Sequence, residues 1–219
     1  MIEIKNWKTG ETIYSSSKET IKEAVEEAVG KKINLSYAYL FFADLSNADL
    51  TGAYLSNANL LNANLSNANL SKANLSKADL LRVNLSYANL FFADLYKADL
   101  SNADLSKSIL TEANLSNACL YKANLYKADL YKADLLNANL SYSNLIETNL
   151  KKAHLPEADL SNADLSKSIL TEADFWGTNL FQANLVETSL DGVNLSLAKL
   201  YRAKINKDVN IRKLLKIEQ

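Results

Sequence analysis

The chain is poor in the residues from which active centres are commonly built: its 219 residues include one Cys, one His and five Gly. A lone thiol, Cys119, cannot close an internal disulfide. With His154 the only imidazole, any Cys-His or Ser-His pair has to include it. There is no Gly-rich phosphate loop, no CxxC, no HExxH and no calcium-loop pattern. No long apolar run is present, so no membrane partner is expected. The first residues, MIEIKNWKTGETIYSSS, lack the apolar core of a signal peptide, which makes the cytoplasm the expected location. Charge of one sign is lacking as well. Lys and Arg total 24 against 25 Asp and Glu, a net of −1 at pH 7, so direct nucleic-acid binding is not expected. The reading is of a protein that is not an enzyme and needs no cofactor.

What the chain has in abundance is a single spacing. From Leu35 to Ile205 every fifth residue is Leu, except Phe175 and Ile205. Two places before each from Leu40 onward stands a small residue, mostly Ala, with Val83, Ser108, Ser143, Thr148, Ser168, Thr178, Thr188 and Val193 as replacements. A fixed period dictates architecture before propensity does. An α-helix repeats every 3.6 residues and would scatter these Leu around all its sides. A strand puts the small residue and its Leu on one face, but the next Leu, an odd number of residues on, would point outward. The chain therefore turns once per pentapeptide. Ala123, Leu125 and Phe175 exemplify the inward set. Ser, Asn, Gly and Lys crowd the corners, where Gly52, Gly177 and Gly192 can supply positive φ.

The five-residue period alone does not fix how many corners close a coil. The segment SNADLSKSILTEA stands at 101–113 and again at 161–173, a displacement of sixty, a whole number of coils with either three or four pentapeptides per coil. SYAYLFFADL at 36–45 returns as SYANLFFADL at 86–95, displaced by fifty.

The repeated A-(N/D)-L-x-x unit resembles the A(D/N)LXX consensus of the pentapeptide repeat proteins over about Ile33 to Ile205. The resemblance implies an all-β fold, a right-handed quadrilateral β-helix with four pentapeptides per coil and about eight to nine coils. At a strand spacing of ~4.8 Å the rod would be about 40 Å long, a solenoid stabilised by nearest neighbours.

Three segments are expected. Residues 1–32 form an N-terminal hairpin and capping helix, 33–205 the β-helix, and 206–219 a C-terminal cap or tail. IEIKNW and ETIY read as strands joined by KTG. Ile21, Ala24, Val25, Ala28 and Val29 recur at helical spacing, with Ser17 or Thr20 as N-cap and Gly30 at the stop. An open solenoid end exposes Leu rungs and unpaired edges, which the helix would cover. In the tail, Ile211, Leu214, Leu215 and Ile217 would do the same or pair with a second copy, giving a homodimer through a solenoid end.

Outward positions carry any specificity and are read in columns twenty residues apart. Phe41, Leu61 and Leu81 share a column with Phe42 beside it, an apolar patch that either binds a partner or is covered by the hairpin. Tyr96, Tyr121, Tyr126 and Tyr131 form an aromatic girdle at mid-rod. Ile109 and Ile169, in the duplicated segment, replace Asn or Asp on one face, with Glu112 and Glu172 following. They read as a by-product of tandem duplication, or as a contact motif repeated for an extended or twofold partner. His154 and Cys119 also replace Asn or Asp and read as surface positions. An acid–base column of Asp134, His154 and Asp174 is the one enzymatic alternative.

The expected function is a non-enzymatic scaffold binding a protein partner of unknown identity. The alternative implied by the resemblance is mimicry of duplex DNA toward a bacterial type II topoisomerase, of the fluoroquinolone-resistance type. The interleaving of Lys77, Lys97, Lys127 and Lys132 with Asp79, Asp99, Asp129 and Asp134, and the lack of loop insertions, argue against it.

Leu125→Asp, which would bury a charge in mid-rod, is expected to unfold several coils at a cost on the order of several kcal/mol. An unchanged melting curve by circular dichroism would refute the inward assignment.

Overall fold

Each corner solves the same hydrogen-bonding problem in the same way, and the corner after Leu40 shows how. In the computed structural model, which describes residues 1–206, Ala43 N–H donates back to Leu40 C=O at 3.0 Å and closes the turn. Leu40 and Phe42 N–H donate forward to Asn59 and Leu61 carbonyls at 2.8 and 3.0 Å, and Asn59 N–H donates back to Ala38 C=O at 2.9 Å. That leaves the N–H of the first corner residue. In the next coil Leu61 N–H is accepted by the Asn59 side-chain Oδ1 at 3.1 Å, an Asx turn. The Asn or Asp of the repeat is therefore structural, since it accepts the one backbone donor that neither the turn nor the neighbouring coil can reach.

The same parallel pairing runs from Tyr39↔Asn59 to Asn179↔Lys199, always between residues twenty apart. Twenty residues are four pentapeptides, so each coil has four sides. The strand contribution is a single paired residue per side, lengthening only where β3 (Asn184–Leu185) pairs parallel with β4 (Lys204–Ile205). The second corner residue sits in the left-handed region throughout, with φ between 55° and 64° at every non-glycine such position and 66–69° at Gly52, Gly177 and Gly192. Asn recurs there because it tolerates that region. Lys, Tyr and Glu also occupy it, at a local cost of about 1 kcal/mol each, which the bonds around the corner offset.

Inside, the Leu and Ala rungs form one contiguous buried core, each Leu contributing roughly 1.5–3 kcal/mol. Phe175 fits this stack fully buried. The hydroxyls that replace Ala are satisfied by rung carbonyls: Ser108 Oγ donates to Leu105 C=O and Thr148 Oγ1 to Leu125 C=O, at 2.7 and 2.9 Å. Ser168, the duplicate of Ser108, is buried with its Oγ unpartnered.

At the N-terminus β1 (Ile2–Lys5) and β2 (Thr12–Ser16) pair antiparallel, and α1 (Ile21–Gly30) follows. Thr20 caps α1, its side chain accepting from Glu23 N–H while the Glu23 carboxylate reaches back, a capping box. Ile4, Val25 and Ala28 are buried in the same cluster as Leu35 and Leu40. Backbone groups of the first coil that have no coil above them find partners here. Tyr39 N–H donates to Lys5 C=O at 2.7 Å, and Asp49 N–H donates to Glu26 Oε1 at 2.9 Å. Trp7 uses both its donors, backbone N–H on Tyr37 C=O at 3.0 Å and indole Nε1–H on Asn57 C=O at 2.8 Å. The expected tail contacts of Ile211, Leu214, Leu215 and Ile217 lie outside the described residues. No helix among the described residues is long and apolar enough to cross a membrane.

Glu27 ties α1 to the hairpin. Lys31 Nζ donates to it at 2.7 Å and Ser16 Oγ donates to its other oxygen. These bonds, Lys31 first and Ser16 second, lower its pKa from 4.5 to about 2. A depressed carboxylate stabilises the fold above its unfolded pKa and loses that contribution as pH falls through the folded value. The N-terminal unit should therefore loosen between pH 4.5 and about 2, read by amide exchange across residues 12–31. Glu27→Gln should remove that step while leaving the distal coils unaffected.

A second expectation concerns Pro156. It follows His154, whose imidazole replaces the Asx acceptor, and as a proline it has no N–H to be accepted. Pro156→Ser, though Ser is common at that corner, should lower stability by about 1 kcal/mol. Adding His154→Asn should recover most of the loss. Equal melting temperatures for the single and double variants would dissociate the two positions.

Candidate protein-interaction surfaces

Because Leu and Ala are consumed by the core and the backbone by the coil lattice, the outward side chains are the only chemistry this fold can present. They lie on four flat walls, each a column of the Asn or Asp positions, and on the corners between them.

The Phe41 patch lies on the first coil. Phe41 packs edge-on against Phe42, ring centroids 4.3 Å apart, and stacks against Tyr39 at 5.9 Å. Leu61 and Leu81 continue the column half-buried, whereas Phe42 is 64% exposed and Phe41 37%. The N-terminal hairpin does not cover them. Its bonds go to Tyr37, Tyr39 and Asn57, one corner away. Tyr39 and Tyr54, both half-exposed, extend the aromatic character of this end. The sequence held a signal for them that went unread, since both stand where the repeat has Asn or Asp. The echo pair Phe91 and Phe92 has the same edge-on geometry at 4.4 Å, two and a half coils farther on.

The tyrosine girdle is more self-contained. Tyr96, Tyr121, Tyr126 and Tyr131 are half-buried. Each carries the ammonium of the following residue, Lys97, Lys122, Lys127 and Lys132, over its ring at 5.2, 5.1, 5.1 and 5.2 Å. Tyr126 OH donates to Glu147 Oε1 at 3.3 Å, and Tyr121 meets Tyr142 edge-on at 5.8 Å. Lys127, bonded to Tyr126 and to Glu147, has its pKa raised above the usual lysine value, Tyr126 being the larger cause.

Ion pairing follows columns rather than sequence neighbours. Lys127–Glu147, Lys132–Glu112 and Lys152–Glu172 pair at 3.1, 3.6 and 3.3 Å, each across adjacent coils. Among the described residues the anticipated neighbours, Lys77 with Asp79 and Lys97 with Asp99, form no such pair. A corner residue one coil away stacks at the strand spacing of ~4.8 Å, and the ring of the preceding Tyr offers a second resting place. The wall carboxylates instead accept amides: Asn114 Nδ2 donates to Asp94, Asn194 Nδ2 to Asp174 and Asn149 Nδ2 to Asp129, at 2.9, 2.7 and 2.8 Å.

Asp134, His154 and Asp174 do fall on successive rungs of one wall. His154 Nδ1 lies 3.5 Å from Asp174 Oδ2, with the histidine exposed. Asp134 is occupied by Leu136 N–H at 3.0 Å. His154 and Asp174 stand exposed on the wall, their side chains 50% and 37% accessible. Clefts of about 260 and 300 Å³ lie at the N-terminal end instead, between α1 and Asp49–Tyr54. Cys119 sits on another wall, 3.1 Å from Ser101 Oγ and away from the imidazole. No cluster of His, Cys, Asp and Glu able to hold a metal occurs among the described residues.

The family model described as pentapeptide repeats matches overlapping segments that together run from residue 33 to 206. Among solved structures, HetL, a protein involved in heterocyst differentiation regulation from the cyanobacterium Nostoc sp. strain PCC 7120, is 31% identical over 88% of this chain and 99% of its own, with a TM-score of 0.34. Rfr23 from the cyanobacterium Cyanothece 51142 is 34% identical over 57% of this chain and 61% of its own, TM-score 0.27. QnrB1, a plasmid-mediated fluoroquinolone resistance protein, aligns in a trypsin-treated variant at 20% identity over 79% of this chain and 91% of its own, TM-score 0.47. No curated protein matches the chain.

Proposed function

The chain belongs to the pentapeptide repeat family, whose fold is a right-handed β-helix, and we propose that it is a non-enzymatic scaffold that binds another protein on an outward face of a quadrilateral rod. In this reading the hairpin and α1 cap the first coil against end-to-end association. The observation that carries the proposal is the division between saturated and unsaturated surface. The tyrosine girdle is engaged by its own lysines, while Tyr39, Phe41 and Phe42 form a contiguous aromatic cluster with Phe42 more than half exposed. Rigid aromatic side chains of this kind are the usual anchors of protein interfaces. The absence of enzymatic activity is supported by the general character of the family and by the flatness of the only histidine's surroundings.

DNA mimicry is the second reading, and one finding favours it: lysines such as Lys127, Lys132 and Lys152 pair with Glu, leaving wall acids such as Asp94, Asp134 and Asp174 without lysine partners. Spacing weighs against it. Along that wall Asn114 and His154 separate the acids, so the carboxylates stand two coils, roughly 10 Å, apart. Duplex DNA carries a charge about every 1.7 Å of its axis. Glu112 and Glu172 at neighbouring corners are already paired to Lys132 and Lys152.

Two assays separate the readings. Affinity capture from native lysate should retain a discrete set of proteins that Phe41→Ser with Phe42→Asn loses, both replacements being common at those corners and compatible with the fold. Replacing Tyr96, Tyr121, Tyr126 and Tyr131 by Ser should leave capture intact. Equal capture by the Phe variant would refute the patch. In a gyrase supercoiling assay the protein should not inhibit at submicromolar concentration. Inhibition that Asp94→Asn, Asp134→Asn and Asp174→Asn together abolish would establish mimicry instead.

A further inference from the structure

The duplicated segment places the same surface twice on one wall. Ile109 and Ile169 are exposed there, 44% and 47%, in positions that elsewhere on that wall are mostly Asn or Asp. They lie three rungs apart, through Asp129 and Asn149. Each is flanked in the same way. Lys107 and Lys167 stand two residues before, on one rim of the wall, and Glu112 and Glu172 stand three after, at the corner that forms the other rim. Within the chain Lys107 Nζ donates to Tyr87 OH at 2.7 Å, and Glu112 and Glu172 pair with Lys132 and Lys152 at 3.6 and 3.3 Å. A partner that used both patches would need matching features at the same three-coil interval, about 14 Å, and a second copy of this chain has that interval by construction.

We propose that this wall is a homotypic interface on which two rods lie side by side and parallel, related by a twofold axis along the rod. Such an axis exchanges the two rims at constant height. Each Ile meets its own counterpart, Ile109 on Ile109 and Ile169 on Ile169. Lys107 comes opposite Glu112 of the other copy, and Lys167 opposite Glu172. The motif Lys-Ser-Ile-Leu-Thr-Glu is self-complementary under that operation, apolar at the centre and opposite in charge at its rims. An antiparallel arrangement would keep each rim against itself and set Glu112 against Glu172, and Lys107 against Lys167, like charge on like. In the two coils between the patches the parallel arrangement faces Lys127 with Lys132, of which Lys127 is paired within its own chain to Glu147, and sets Glu147 opposite Lys152. Glu112 and Glu172, which hold Lys132 and Lys152 at 3.6 and 3.3 Å in their own chain, are shared between that pair and the facing lysine. Asp129 likewise has both oxygens engaged, by Asn149 Nδ2 at 2.8 Å and Thr111 Oγ1 at 3.1 Å. This association goes beyond the scaffold reading and leaves the Phe41 patch free, so loss of either can be seen without the other.

The test is the solution mass of the full chain by sedimentation across the micromolar range. A concentration-dependent dimer is expected, and Ile109→Asn with Ile169→Asn should weaken it by at least about tenfold. Both replacements restore the usual residue and an Asx acceptor, so the melting temperature should stay equal or rise, which separates lost association from lost folding. Lys107→Glu with Lys167→Glu should abolish the dimer, and adding Glu112→Lys with Glu172→Lys should restore it. Ile109→Cys in a Cys119→Ser background should give disulfide-linked dimers on oxidation, since the parallel axis brings the two positions 109 together. A monomer throughout, a dimer that survives both Ile replacements through some other surface such as a coil end, or failure of the 109 cross-link would overturn the proposal.

Discussion

A chain that turns every five residues has to satisfy its backbone at every corner, and the rest of this protein depends on how that is done. Of the five N–H groups in a pentapeptide, two donate to the next coil, one to the preceding coil, one closes the turn and one is accepted by the side chain of Asn or Asp. Only the carbonyl of the second corner residue is generally left for water. The solution requires a left-handed residue at each corner, a conformation that isolated L-residues avoid. It persists because the coil lattice and the Leu stack hold it from both sides. Stability is therefore local and cumulative, as in any solenoid, each coil resting on its neighbours.

The same constraint governs electrostatics. Columns stacked at the strand spacing would set like carboxylates against one another, a costly arrangement at ~4.8 Å. At most rungs Asn is interposed instead, its amide donating to the Asp of the coil before, as at Asn124 to Asp104 and Asn179 to Asp159, 3.0 and 2.9 Å; Asp79 and Asp99 are the pair that stack directly among the described residues. The result is an orderly but dilute pattern of wall charge. Several corner lysines turn to Glu of an adjacent coil or lie over a tyrosine ring, as Lys152 does with Glu172 and Lys97 with Tyr96. A surface so thoroughly paired within itself has few places where a partner gains by contact. That gives weight to the exceptions: Tyr39, Phe41 and Phe42 near the N-terminal hairpin, and Ile109 and Ile169 on one wall.

Those exceptions share a physical character. Each substitutes an apolar group at an outward site where the repeat uses Ser, Asn or Asp, and Tyr39, Ile109 and Ile169 forgo the Asx bond that most of the wall positions make. Ile109 and Ile169 leave the Thr111 and Thr171 N–H without the Asx acceptor found at most corners. His154 does the same, but Pro156 removes the donor, so that wall position is structurally compensated and needs no chemical role. The distinction between compensated and uncompensated departures from the repeat is what separates candidate interfaces from tolerated substitutions.

The unbroken five-residue spacing of Leu, with a small residue two places before it, by itself determined that the chain turns once per repeat, which residues point inward, and that Phe175 belongs in the core. A separate helical spacing, Ile21, Ala24, Val25, Ala28 and Val29, located the helix, and the structure chose Thr20 over Ser17 as its cap through the box with Glu23. The alternation did not determine the number of sides, since three, four or five corners satisfy the same inward pattern. The twenty-residue pairing of one coil with the next decided that, because only there do the corner bonds and the Asx acceptors coincide. Nor did the sequence say whether the hairpin covers Phe41, where Lys127 and Lys132 find their partners, or why Asn and Asp recur. These depend on distances between residues one coil apart, which stacking alone creates.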